Sequence, residues 1–280
     1  MDGGGGAGIA RRISSSSCVA TRPRRDLLGP PLPEALSDRP FPILSPDAAG
    51  GSSARRTRPE ALLRTREPLK LPARGSLPKP EADDPLDYYY RPLTAALYRS
   101  RLEAAAELLG DEHHATLLEV GYGSGIFMPE LARHADRVLG IDIHGQSAAV
   151  SEALARIGVT AELSDADLFA LPFADDSLDA LVCLSVLEHL TDLDGALAEF
   201  RRVVRPGGIL VLGVPVRNPA TDLFFRAVGY NPRAIHPSSH SDMLAAARRA
   251  PGLVVEAVRR VPSFLPLPLA AYVTCRCSVR

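Results

Sequence analysis

The stretch Leu117–Phe127, LLEVGYGSGIF, decides the fold. Leu117 to Val120 reads as the end of a buried strand, Gly121-Tyr122-Gly123-Ser124-Gly125 as a turn, and Ile126 as the start of a helix. A strand that runs through such a turn into a helix brings backbone N–H groups to the carboxyl edge of a parallel sheet, where ligands bind. Glycine supplies the unusual dihedrals and the close approach this requires. A dinucleotide fingerprint would place its third glycine at position 126, but Ile126 stands there and the glycine falls one residue earlier, at Gly125. A tight turn without a ligand is the plain alternative, and the density of special positions weighs against it.

Working outward, short apolar runs alternate with amphipathic segments. Thr116 to Val120, Arg137 to Ile141, Thr160 to Leu163, Ala180 to Leu184 and Ile209 to Val214 read as strands. Helices are expected over Ile126 to His134, Gln146 to Ile157 and Leu193 to Val204. This rhythm predicts βαβ units and a largely parallel sheet covered on both faces. Before it, Tyr88, Tyr89 and Tyr90 lead through Pro92 into a helix over Leu93 to Leu109, stopped by Gly110, with Leu93, Leu97, Ala104 and Leu108 on one face. After Val214 comes a long connection, a helix from Asp242 to Arg249, and two strands, Leu253 to Val258 and Leu269 to Cys277, separated by SFLPLPL.

Val138-Leu139-Gly140-Ile141-Asp142-Ile143 ends a strand in an acid about 20 residues after the glycine turn, where a carboxylate can accept both hydroxyls of a ribose. A solvated loop aspartate is the bland alternative. Further on stand Asp167-Leu168-Phe169-Ala170-Leu171-Pro172-Phe173, then Asp179 opening a strand that runs to Leu184-Ser185-Val186-Leu187-Glu188-His189, then Arg202-Val203-Val204-Arg205-Pro206-Gly207-Gly208. With the glycine turn, this series resembles the class I S-adenosylmethionine-dependent methyltransferases, in particular their quinone-biosynthesis-like group, over about residues 117–215. The resemblance implies an α/β, Rossmann-like three-layer αβα sandwich. Its seven-stranded, mostly parallel sheet would have the order 3-2-1-4-5-7-6, with strand 7 antiparallel. It implies S-adenosyl-L-methionine as cofactor, with Glu119, Gly121, Tyr122, Gly123, Ser124 and Gly125 around the methionine moiety. Asp142, with Ile143 beside it, would hold the ribose, Asp167 the adenine amino group and Leu168 the ring, while Leu184 and Ser185 would complete the shell. Asp165 competes with Asp167, but Asp167 has the matching distance to Leu171-Pro172.

Methyl transfer from a sulfonium is an in-line displacement, so alignment and a dry pocket supply much of the acceleration. A hydroxyl acceptor also needs a proton removed. His189, after the fourth strand at the carboxyl edge, is the first candidate, against a plain backbone-bonding role. Some relatives of the quinone type carry an acid three residues before the Glu-His pair, and that trio can hold a divalent cation. This chain has Ser185 there, so no metal is expected. His236 and His240 are further candidates, four residues apart. Pro237 disfavours a helix across them, and Ser239 or Ser241 would cap the helix that follows. Tyr88 to Tyr90 and the helix to residue 110 occupy the place of a substrate lid, or pack plainly. Cys275 and Cys277 share one strand face, a spacing that suits neither a disulfide nor a zinc site.

Residues 1–80 are rich in Gly, Ser, Pro and Arg without apolar periodicity and are expected to be a disordered basic extension. The methyltransferase-like domain would then span 81–280 with its helical lid over about 85–110. The extension carries 14 Lys and Arg against 7 Asp and Glu, and the rest of the chain 18 against 26. An acidic domain offers no phosphate-neutralising surface, so a small-molecule substrate is expected and nucleic acid is not. Four scattered cysteines point to a reducing compartment, and no run is long and apolar enough to span a bilayer. Cytoplasmic residence is expected, although the Arg- and Ser-rich Ala10 to Arg25 also has the composition of an organellar transit peptide. Two other functions share these features: a non-catalytic S-adenosylmethionine-binding partner subunit, and an NAD(P)-dependent oxidoreductase. The glycine spacing disfavours the second.

Overall fold

Apolar side chains alternate in direction along each central strand, and one sheet thereby supports two cores. The computed structural model describes residues 69–81, 84–218 and 236–280. Its elements are α1 (Ala95–Leu109), β1 (His114–Val120), α2 (Met128–Leu131), β2 (Ala135–Asp142), α3 (Ser147–Arg156), β3 (Glu162–Asp165), β4 (Leu178–Leu184), α4 (Leu193–Val203), β5 (Val204–Pro215), α5 (His240–Arg249), β6 (Leu253–Val261) and β7 (Tyr272–Val279). The strands form one seven-stranded sheet in the order β3-β2-β1-β4-β5-β7-β6. β1 to β5 pair in parallel, and β7 runs antiparallel between β5 and β6. Leu118, Leu139, Leu181, Cys183, Leu210 and Leu212 pack with α4 and α5, and Leu117, Val138, Ala180, Val182, Ile209 and Val211 with α1, α2 and α3. The result is the expected three-layer arrangement, with helices on both faces of the sheet. Cys275 and Cys277 both face the α4–α5 layer as buried free thiols.

The Arg205-Pro206-Gly207-Gly208 segment does more than stop α4. β4 and β5 pair at Leu178–Val204 and resume at Ala180–Ile209, so these four residues bulge opposite Asp179. Gly207 has φ +82°, and a Cβ on Gly208 would lie 2.7 Å from the Asp179 carbonyl oxygen. Asp179 Oδ2 accepts from the Thr116 N–H at 2.7 Å and from its hydroxyl at 3.2 Å, while Oδ1 takes the Arg205 guanidinium. One carboxylate thus ties together the starts of β1, β4 and β5.

Several expectations need correction. The helix placed over Ile126 to His134 is only Met128–Leu131, because β2 begins at Ala135 and the intervening residues close three-residue turns, Arg133 N–H to Glu130 and His134 N–H to Leu131. β3 lies two residues later than Thr160 to Leu163. Gly158 (φ +77°) closes α3, the Val159 N–H bonds back to Leu154, and the strand starts only where Glu162 meets Leu139. Leu93 is not on the buried face of the first helix: it precedes α1 and is 97% exposed. Ordered packing also begins before residue 81. Leu77 is buried in the α1–α3 core with Leu69 and Leu71 against it, and the Pro72 and Pro80 carbonyls accept from Tyr90 and Gln146. The rest of the expected extension, residues 1–68, lies outside the described residues.

Burial raises the Asp179 carboxyl, but hydrogen bonds from Arg205 and Thr116 outweigh it and hold the group below its usual range. Its stabilisation is therefore present above the unfolded value of about 3.9 and is lost as the pH falls through the lower folded value. Asp179→Ala should cost about 2–3 kcal/mol in urea unfolding at pH 7. That difference should shrink below about pH 4. An equal cost at both pH values would exclude the carboxylate as its source.

Candidate active site

The carboxyl ends of β1, β2, β4 and β5 face one edge of the sheet, and the residues singled out in the sequence gather there. In the turn after β1, Gly121, Gly123 and Gly125 have φ of +79°, +51° and +76°. A Cβ on Gly121 would fall 2.2 Å from Val186 Cγ2, and one on Gly123 would fall 3.0 Å from Asp84 Oδ2. The turn is therefore a cradle that only glycine can line. Beneath it Glu119 is buried, with Oε2 lacking any hydrogen-bond partner. Burial, reinforced by the nearby Asp142 carboxylate and opposed by Arg101, pushes its carboxyl well above the usual range. Tyr122 and Ser124 are also buried, and the Tyr122 hydroxyl is unpartnered. Because α2 is a single turn, any anion here meets individual N–H groups rather than a helix macrodipole.

Asp142 ends β2. Its Oδ2 accepts from the Gly123 N–H at 2.8 Å and its Oδ1 from the Ile143 N–H at 2.7 Å, leaving lone pairs on both oxygens. Ile143 is partly exposed beside it. Asp165 pairs with Asp142 across the β2–β3 ladder. Its Oδ2 takes the Ser147 hydroxyl at 2.6 Å, and its Oδ1 is buried without a partner. Asp167 is exposed and accepts from the Phe169 N–H at 2.9 Å, while Leu168 is buried in the core.

Ser185 follows β4 and holds φ +59°, a left-handed conformation that a non-glycine residue occupies at a cost. Its hydroxyl meets Arg101 Nη1 at 3.0 Å and the Tyr272 hydroxyl at 3.0 Å. Arg101 also donates to the Tyr89 hydroxyl, and its guanidinium carbon lies 4.6–5.7 Å from the ring centres of Tyr89, Tyr98 and Tyr272. Leu184, the last residue of β4, is buried beside it.

The turn Leu187–His189 comes next. Glu188 is buried with Oε2 unpartnered, and burial pushes its carboxyl up to about 8. His189 is half-exposed, and its ring stands 5.0 Å from that of His236 at 61°. Burial, with His189 and Arg217 nearby, pushes His236 down to about 4, so its ring is neutral and keeps a lone pair. Ser238 clips the two segments together, its N–H donating to the Glu188 carbonyl and its hydroxyl to that of Leu190. His240 stands outside this group as the first residue of α5, whose N-cap is Ser239 in a reciprocal capping box with Asp242.

Residues 118–212 match the family described as a methyltransferase domain, and the sheet order is the one that the glycine turn and its followers imply. Over these residues the chain resembles the class I S-adenosylmethionine-dependent methyltransferases. The domain is 33% identical over 134 residues to a ubiquinone biosynthesis O-methyltransferase of Alkalilimnicola ehrlichii, covering 44% of this chain and 51% of that protein. It is 32% identical over 111 residues to a demethylmenaquinone methyltransferase of Tropheryma whipplei, covering 39% and 45%. The chain thus spans about half the length of these relatives or less. Among solved structures it resembles the N-methyltransferase NodS of Bradyrhizobium japonicum bound to S-adenosyl-L-homocysteine (TM-score 0.54, 21% identity, 72% of this chain and 94% of that one). It also resembles the [4+2]-cyclase SpnF (TM-score 0.53, 20% identity, 64% and 80%). At these identities the likeness is one of fold, and a cyclase among the neighbours shows that the fold alone does not fix the reaction.

Three features of the methyltransferase domain's edge lie outside the motifs read from sequence. Arg101 interrupts the apolar stripe Leu97, Ala104, Leu108, and a charge on such a stripe is the readable sign of a buried polar site. His144, two residues after Asp142, is buried against Tyr122, with Nε2 3.1 Å from the Gly123 carbonyl and Nδ1 accepting from the Gln146 N–H, so it braces the glycine turn. Tyr272 had no local signal, since only the antiparallel course of β7 brings its first residue here. Glu119 yields a prediction. With a raised carboxyl, stability falls as the pH rises above the unfolded value of about 4.3. Glu119→Gln removes that penalty and should raise the Tm of the ligand-free protein at pH 8 by a few degrees, about 1 kcal/mol for a domain of this size. A Tm that drops at pH 8 would contradict the burden assigned to this carboxylate.

Proposed function

We propose that the chain is an S-adenosylmethionine-dependent methyltransferase whose acceptor is a small apolar molecule bearing a hydroxyl. The observation that carries the reading is the glycine cradle with the unpartnered Glu119 oxygen beneath it, at the edge where Asp142 also stands. The bound cofactor supplies an electrophilic methyl group on a sulfonium. Glu119, the Gly121–Gly125 N–H groups, Tyr122 and Ser124 hold the methionine end. Asp142 and Ile143 hold and cover the ribose, Asp167 accepts from the adenine amino group over Leu168, and Leu184 and Ser185 close the far side. Arg101 and its tyrosines exclude water between the cradle and β7, and His189 takes the proton of the acceptor hydroxyl. Phe264 and Leu269, exposed in the β6–β7 connection at the same edge, offer the acceptor an apolar rim. The name of the ubiquinone biosynthesis O-methyltransferase it resembles supports an acceptor hydroxyl.

Calorimetric titration of the full chain with S-adenosylmethionine tests the reading. Gly123→Arg should abolish binding, and Asp142→Ala should weaken it by about 1–3 kcal/mol. No binding to the wild type, with no competition from NAD(P) either, would remove both nucleotide readings. Comparing Asp165→Ala with Asp167→Ala separates the two acids, since the larger loss marks the adenine partner. For the acceptor side, His189→Ala should lower turnover on a phenolic acceptor by about 10²-fold while cofactor affinity stays constant. Binding without transfer to any acceptor in an extract incubated with labelled cofactor would favour the non-catalytic partner instead.

A further inference from the structure

The absence of an acid at position 185 argues against a metal only if the third ligand has to come from the same loop. Ser185 is in any case committed, its hydroxyl shared between Arg101 and Tyr272. The fold brings another donor from far along the chain. One ligand atom each of Glu188, His189 and His236 lies within 4.8 Å of the others, and His189 Nε2 is 4.0 Å from Glu188 Oε1. Ligands at about 2.0–2.2 Å from one ion stand at most about 4.3 Å apart, so the group is within a side-chain rotation of ligating distance. Two independent observations separate this from a chance cluster. The Glu188 carboxylate is almost wholly buried, with one oxygen lacking any partner, and Ser238 fastens the His236 segment to the Glu188 turn through two hydrogen bonds. Arg217 donates to the His236 carbonyl, and the His236 ring stands against that of His189.

We propose that Glu188, His189 and His236 bind a divalent first-row transition ion, Zn²⁺ or one of similar ligand preference, at the acceptor side of the cleft. Two imidazoles and one carboxylate suit such ions and do not suit Mg²⁺, which takes oxygen ligands and keeps its waters. Three protein ligands leave at least one position open, as in catalytic metal sites. The purpose of the ion rests on the methyltransferase reading: an acceptor hydroxyl bound at the open position would have its pKa lowered and would give its proton to solvent water before transfer, and with the ion bound His189 is a ligand in place of the base assigned above. The binding site itself does not depend on that reading.

The test uses the untagged full chain, stripped with a chelator and titrated with Zn²⁺ by calorimetry and with Co²⁺ by visible absorption. One ion should bind per chain at micromolar metal, with cobalt bands of a nitrogen and oxygen site, and Mg²⁺ should not compete. His236→Ala and Glu188→Gln should each weaken binding by at least about tenfold. His113→Ala, which removes a surface histidine paired with Asp136, should leave it unchanged. His236→Ala carries the decision if Glu188→Gln fails to fold, because His236 is only partly buried whereas Glu188 is buried. Absence of stoichiometric binding at millimolar metal, or equal effects of His236→Ala and His113→Ala, would overturn the site. Titrating the same preparations with S-adenosylmethionine keeps the two readings apart: intact cofactor binding without metal binding rejects the ion alone.

Discussion

Because β1 lies between β2 and β4, the connection leaving it and the one arriving at β4 run to opposite sides of the sheet, and they part above its carboxyl end. That divergence is a geometric consequence of strand order, independent of any side chain. It leaves backbone N–H groups without ladder partners at one place, and the glycines of the first turn are the local answer to a chain that must bend sharply while keeping those groups accessible. Asp142 and Glu119 then occupy the ends of neighbouring strands, close enough for the Asp142 carboxylate to raise the cost of ionising Glu119. The domain tolerates that cost where a ligand can offset it.

The second organising contact is a half-buried cation. Arg101 reaches from α1 across the sheet edge, and among the described residues no carboxylate stands within ion-pair distance of it. Tyrosine faces and hydroxyls, with Ser185, take the place of a counter-ion. An arrangement of this kind ties a helix before the sheet, a turn after β4 and the start of β7 to one group. The wall opposite the glycine turn is therefore a single cooperative unit rather than three independent loops.

How much of this was legible follows from how local each signal is. Alternating apolar residues such as Leu117 and Leu118 announce a two-faced sheet, and Ser239 with Asp242 announces a helix start, because both are decided within a few residues. The extent of α2 was not legible, since Ile126 to His134 has an acceptable helical pattern and is cut short only by where β2 must begin to pair with β1. β3 was misplaced for the same reason: ladder register with Leu139, not the apolar content of Thr160 to Leu163, sets its start. At the sheet edge, the glycine turn and Asp142 are sequence neighbours of strands, so their position there was legible. The meeting of Glu188 with His236 depends on how α5 and the segment before it return to the sheet, and no spacing rule encodes that.

The placement of β7 has a consequence for how the molecule is assembled. Although last in sequence, it lies between β5 and β6, so β6 has no neighbour to hydrogen-bond until β7 has formed. Tyr272 is the first residue of that strand and a partner of both Ser185 and the Arg101 cluster. The glycine turn stands on β1 and β2, which are neighbours early in the chain, whereas the facing wall waits for its last strand. During synthesis the glycine turn and Asp142 would therefore take their places before the Arg101 wall, which is completed only when β7 enters the sheet.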